Sequence, residues 1–258
     1  DASLEALFVD CESSSTCMEA FPDLRIHYRN LVKRLQLVPE TVMLTHPRTG
    51  SRIETTIDFR TVSDLVRAVL YERTLSALLP FALEQAFHLN YQPLVALAYS
   101  FTGDKNTMSI GMTASVLCSE DMRFISANDV QEGQYFLNSL YEGMKSVCEF
   151  WPAGDVDESY IDPVHSDVPV LLVSGALDPV TPPKYAELAG DTLTNSKHII
   201  LQGVGHGASI HGCMPRVVEA FIEAANHDQP DDSCLQNFVR PPFFTGYAGP
   251  VEPGESAP

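Results

Sequence analysis

Val168-Pro169-Val170-Leu171-Leu172-Val173-Ser174-Gly175-Ala176-Leu177-Asp178-Pro179-Val180-Thr181-Pro182 is the stretch whose reading decides the fold. Its first half is a short, continuous apolar run closed by glycine, the pattern of a strand buried on both faces. Pro182 and Pro183 stand where a helix would start, and Tyr185, Ala186, Leu188, Ala189 and Leu193 continue it. His198-Ile199-Ile200-Leu201 supplies the next buried strand, and a last helix is predicted from about Pro215 through Val217, Val218, Phe221, Ile222 and Ala225. Strand, helix, strand, helix is the order in which a parallel, doubly wound α/β sheet ends.

Active sites of open α/β sheets gather at the carboxyl ends of the strands. Two loops at such positions hold a carboxylate and an imidazole. Asp178 follows the first strand between Gly175 and Pro182, in a loop stiffened by Pro179 and Pro182, and a carboxylate there can accept the Nδ1–H of a histidine and fix its tautomer. His206 follows the second strand in Gln202-Gly203-Val204-Gly205-His206-Gly207, where glycines let the backbone turn sharply. The two lie 28 residues apart, with one helix and one strand between, the separation at which neighbouring parallel strands bring both loops together. Taken singly, Asp178 reads as a turn or helix cap and His206 as a loop residue; the order and placement of the pair favour chemistry.

Upstream, apolar stripes of helical spacing alternate with turn signals. Leu24, Tyr28, Leu31, Val32 and Leu35 share one face until Pro39 ends the helix, and His46-Pro47-Arg48-Thr49-Gly50 separates two β-prone stretches between Thr41 and Ile57, which predicts a hairpin. Helical spacing returns at Val62, Leu65, Val66, Val69 and Leu70, across Leu78 to Leu89, and across Tyr91 to Tyr99. Residues 1–165 thus read as a mainly helical region, 166–227 as the α/β segment, and 228–258, rich in proline and glycine, as an irregular tail.

Sixteen basic against thirty-four acidic residues give a formal charge of −18 on 258 residues, which would repel a nucleic-acid backbone or an anionic membrane. No apolar run reaches the length that spans a bilayer, and neither an anchor nor an export signal is visible. Six cysteines allow fifteen pairings. A preference for short loops joins Cys11 to Cys17, Cys118 to Cys148 and Cys213 to Cys234, which would place the protein in an oxidising, secreted or periplasmic setting. Metal ligation is the competing reading, although no C-x-x-C occurs and His206, His211 and Cys213 lack a fourth ligand at a familiar spacing. The remaining histidines, His27, His46, His88, His165, His198, His211 and His227, show no partner spacing.

The segment from Val168 to Phe221 resembles the C-terminal end of the α/β-hydrolase fold. Gly175 to Pro182 together with Gly203 to Gly207 resembles the version found in tripeptidyl aminopeptidases and large proline iminopeptidases. Cys11 and Cys17 ahead of Ala20-Phe21-Pro22-Asp23-Leu24, Ser115-Val116-Leu117-Cys118-Ser119-Glu120-Asp121, Cys148-Glu149-Phe150-Trp151-Pro152, and Gly212-Cys213-Met214-Pro215 ahead of Cys234 extend the likeness over nearly the whole chain. The resemblance implies a serine hydrolase, with Asp178 as the acid and His206 as the base of a Ser-His-Asp triad, no cofactor, and a helical cap preceding the core. It also implies that Glu120 faces the catalytic pocket and binds the free α-ammonium of a peptide. The plainer reading is that Glu120 and Asp121 cap a helix or turn after a strand ending at Cys118.

The departure from the family pattern is large: no G-x-S-x-G occurs, and Gly207-Ala208-Ser209-Ile210-His211 fails at its last position and lies beyond the histidine. The nucleophile and the oxyanion-hole glycines are therefore expected on the upstream half of the same hydrolase, as one chain or a cleaved partner. The expected substrate is a peptide attacked at its amino terminus. An esterase or lipase on the same triad, and a non-catalytic interaction fragment, are the alternatives.

Overall fold

The computed structural model describes residues 1–102, 109–126, 128–130, 133–226 and 232–250. His227 and the tail residues 228–231 and 251–258 lie outside these. Two compact units make up the chain: Asp1 with Thr102–Pro163, and Ala2–Phe101 with Val164–Pro258. The first hundred residues thus share a unit with the α/β segment, whereas the sequence reading drew one helical region over 1–165.

The larger unit opens with α1 (Ala2–Ser13), α2 (Ser15–Ala20) and α3 (Leu24–Leu37). Leu24, Tyr28, Leu31, Val32 and Leu35 are the buried face of α3, the stripe that the sequence predicts. The hairpin of β1 (Glu40–Thr45) and β2 (Arg52–Ile57) is antiparallel, with Leu44 opposite Ile53, and one side of it alternates towards the core. Its loop closes through the Ser51 carbonyl, which accepts from the His46 N–H at 2.8 Å, and through Gly50 at φ +70°, a value that costs glycine little. Next come α4 (Phe59–Leu70), α5 (Arg73–Ser76), α6 (Leu79–Phe87) and α7 (Gln92–Thr102). Asp58 caps α4 by accepting the Thr61 N–H at 2.7 Å, and Val62, Val66, Val69 and Leu70 bury the inner face.

In the smaller unit, α8 (Ile110–Val116) runs into a π-helical turn, Leu117–Asp121, and α9 (Ser139–Cys148) lies further on. Ser115 to Asp121 is therefore helical, and the strand expected to end at Cys118 is absent. Cys118 bonds Cys148. Cys118 thus lies in the π-helical turn and its partner at the end of α9. Asp1 also belongs here, its carboxylate accepting the N–H groups of Gln134, Tyr135 and Phe136.

The chain returns to the larger unit as β3 (Val170–Gly175), α10 (Pro183–Gly190), β4 (Ser196–Leu201) and α11 (Met214–Ala224). β3 and β4 are parallel, with Gly175 opposite Leu201, so both strands end at the same edge. One helical crossover joins them. Among the described residues this sheet has two strands, the part of a doubly wound sheet that one β-α-β unit supplies. β3 is not buried on both faces. Leu171 and Val173 pack against Ile199, Leu201, Met214 and Val217, while Val170 to Val173 each keep partial exposure. α10 stops at Gly190 rather than carrying on to Leu193, whose N–H instead turns back onto the Gly190 carbonyl at 3.2 Å.

All three cysteine pairs are disulfides as the short-loop rule predicts: Cys11–Cys17, Cys118–Cys148 and Cys213–Cys234. Among the described residues no three His, Cys, Asp or Glu side chains form a metal-binding group, and no helix is long and apolar enough to cross a membrane. After the short 3-10 turn Ser233–Asn237, the tail runs to residue 250 without helix or strand.

Candidate functional site

Asp178 sits three residues past the end of β3, where the chain leaves the sheet. Its Oδ1 accepts the backbone N–H groups of Val180 at 2.8 Å and Thr181 at 2.9 Å, an Asx turn that uses the carboxylate as its own scaffold. Oδ2 accepts from the Thr181 hydroxyl at 3.0 Å and faces His206 Nδ1 at 2.9 Å. Burial alone would push this carboxyl upward; the bonds from Thr181 and Val180 and the His206 bond outweigh it and hold Asp178 below the usual carboxylate range. An ionised carboxylate only accepts, so Nδ1 carries the proton and Nε2 is the nitrogen that presents a lone pair.

His206 comes to that position by a different route. The loop after β4 bends through Gly203 at φ +64° and then passes so close to α4 that a Cβ on Gly205 would stand 2.4 Å from the Tyr71 carbonyl oxygen. The same carbonyl accepts the His206 N–H at 3.1 Å. The acid loop is held from α1, where the Ser3 hydroxyl donates to the Leu177 carbonyl at 2.6 Å. Leu177 N–H in turn bonds the Val204 carbonyl at 2.9 Å, lacing the two loops together. The side chain of Asp178 is 4 % exposed and that of His206 43 %. An acid sealed from water behind an accessible base is the asymmetry that acyl-transfer chemistry uses: the base exchanges protons with a substrate while the acid only orients it.

Of the three residues singled out from sequence, Asp178 and His206 are brought together. Glu120 belongs to the smaller unit, in the π-helical turn, where the Tyr160 hydroxyl donates to its Oε2 at 2.8 Å. Ser209 lies in the short 3-10 turn Ala208–Ile210, beyond the histidine. Several histidines passed over by spacing have partners. His27 and His88 contact the two oxygens of Glu84 at 2.8 and 3.1 Å, and the His88 contact is an i, i+4 pair that the sequence could have revealed. His198 Nε2 meets the Ser174 hydroxyl at 2.9 Å, which satisfies a hydroxyl buried in the body of β3. Tyr71 and Ser3 were missed because each reaches the site across more than a hundred residues, a relation no local pattern encodes.

No curated protein matches the chain. Residues 133–234 match the family model described as TAP-like protein, an α/β-hydrolase family. The match takes in Asp178 and His206 and the cysteines 148, 213 and 234, and it is narrower than the near-complete likeness expected from the motifs. The stretch that carries both loops is similar to the C-terminal region of a TAP-like α/β-hydrolase.

Proposed function

We propose that this chain contributes the acid and the base of a serine peptidase that removes residues or short peptides from amino termini. The observation that carries the reading is the Asp178–His206 contact of 2.9 Å, formed by loops leaving adjacent parallel strands within the matched hydrolase segment. In the proposed cycle a serine on the upstream half of the same hydrolase attacks the scissile carbonyl. His206 Nε2 takes its proton and returns it to the leaving amine, then takes a proton from the water that attacks the acyl-serine and returns it to the serine oxygen as the acid product leaves, while Asp178 holds the imidazole and stabilises the imidazolium. Nothing in that sequence of steps calls for a cofactor. Glu120 is proposed to pair with the substrate's α-ammonium, a charge-assisted bond that gives the amino-terminal preference. The three disulfides are compatible with a secreted or periplasmic enzyme.

A fluorophosphonate probe tests the placement of the nucleophile. The 258-residue chain should resist labelling, and the complete hydrolase should be labelled at a serine outside these residues. Stoichiometric labelling of Ser209 or of Ser174, the hydroxyl already paired with His198, would overturn it. Specificity is tested by kcat/KM of the complete enzyme on a free and an acetylated peptide anilide. Equal values would replace the exopeptidase reading by an esterase-like one, and complete inertness of a labelled-serine-free hydrolase would leave a binding role.

A further inference from the structure

We infer that Tyr71 is a positioning residue for His206, acting through both its main chain and its ring; the inference rests on the triad reading above. Tyr71 caps the C-terminus of α4, and its backbone is still helical, with φ −61° and ψ −35°. The last carbonyls of a helix have no partner within it. One of these, the Tyr71 carbonyl, is taken by the His206 N–H at 3.1 Å. Gly205 is what permits the approach, since any side chain there would collide with the Tyr71 and Leu70 carbonyls. The ring of Tyr71 then stands edge-on to the imidazole, centroids 5.3 Å apart and planes at 65°. Phe101, on α7, braces the Tyr71 ring at 5.2 Å.

These contacts divide the control of the imidazole. The Asp178 bond fixes Nδ1 but leaves a rocking motion about the line of that bond, and a neighbouring ring with a fixed face limits it. Tyr71 presents such a face to His206. A base held in this way meets the serine hydroxyl in one orientation, which is where rate is lost if the ring wanders. Phe101→Ala and Tyr71→Leu remove the wall in two steps, and Tyr71→Phe keeps it.

The test is made on the 258-residue chain labelled with ¹⁵N-histidine, reading the exchange with water of the proton on His206 Nδ1. Tyr71→Leu should speed that exchange by roughly tenfold, the scale of one edge-to-face ring contact. Tyr71→Phe should match the unaltered chain, and Phe101→Ala should move the same way by a smaller factor. Asp178→Asn should abolish the protected proton. Unchanged exchange in Tyr71→Leu, with the proton still lost in Asp178→Asn, overturns the positioning role and leaves the Asp178–His206 pair standing. Should Tyr71→Leu not fold, Phe101→Ala decides alone, since its substitution is at a half-exposed position, and unchanged exchange there overturns the role. If no protected proton exists in the unaltered chain and Asp178→Asn changes nothing, the pair itself fails and the positioning role falls with it. In the complete enzyme, a lower kcat at unchanged KM for Tyr71→Leu, restored in Tyr71→Phe, is the corresponding kinetic signature.

Discussion

Replacing Asp178 by Asn keeps the shape of the side chain and removes its charge. The amide oxygen can still accept from Val180 and Thr181, as Oδ1 does now. The amide nitrogen takes the place of Oδ2, so the Thr181 hydroxyl must turn round to accept, and His206 Nδ1 must give up its proton to become an acceptor. The interaction lost is one charge-assisted bond between groups of which one is nearly sealed from water, and bonds of that type contribute about 1.5 to 3 kcal/mol. Relief of the cost of burying the charge offsets part of this, so a net loss of about 1 to 2 kcal/mol is expected at neutral pH. The dependence on pH has a definite sign. The folded carboxyl lies below its ordinary value, so its contribution is fully present above the unfolded value of about 3.9 and is lost as pH falls through the lower folded value. Urea denaturation of both proteins at pH 7 and at successively lower pH measures the difference. A loss that persists undiminished in acid, or no loss at pH 7, would refute the reasoning, because either result would mean that the charge of Asp178 contributes nothing to the folded state.

Asp58→Ala removes the side-chain oxygen that caps α4 and should cost about 0.5 to 2 kcal/mol in the same assay, with Asp58→Asn nearly neutral. Gly205→Ala should disorder the His206 loop, because its Cβ would press on main-chain oxygen and not on a side chain that can swing away; loss of the protected His206 Nδ1 proton reports it. Removing the Cys118–Cys148 bridge, which spans 30 residues, should destabilise the smaller unit by about 3 to 4 kcal/mol on the chain-entropy model, and mass spectrometry of the unreduced chain should find no free thiol. A free thiol at any of the six cysteines would break the pairing.

Sequence alone carried the parts of this protein that local physics decides. The apolar run closed by glycine predicts a strand buried on both faces, which forms but keeps partial exposure, the stripe from Leu24 to Leu35 predicts a helix with one inner face, and His46 to Gly50 predicts a hairpin. The order strand, helix, strand put Asp178 and His206 at one sheet edge, because parallel neighbours end on the same side and a 28-residue spacing holds one crossover. The short cysteine loops followed from the low entropy of closing them. What needed the tertiary structure was everything set by contacts distant in sequence. Cys118 lies in a π-helical turn and is bridged to Cys148 on another helix, and Val170 to Val173 of β3 each stay partly exposed. The supports of the site, Ser3 under Leu177 and the Tyr71 carbonyl under His206, come from helices far upstream. A hydrogen bond or a ring edge is felt over a few ångströms of space, and the amino-acid order does not say which residues folding brings within that distance.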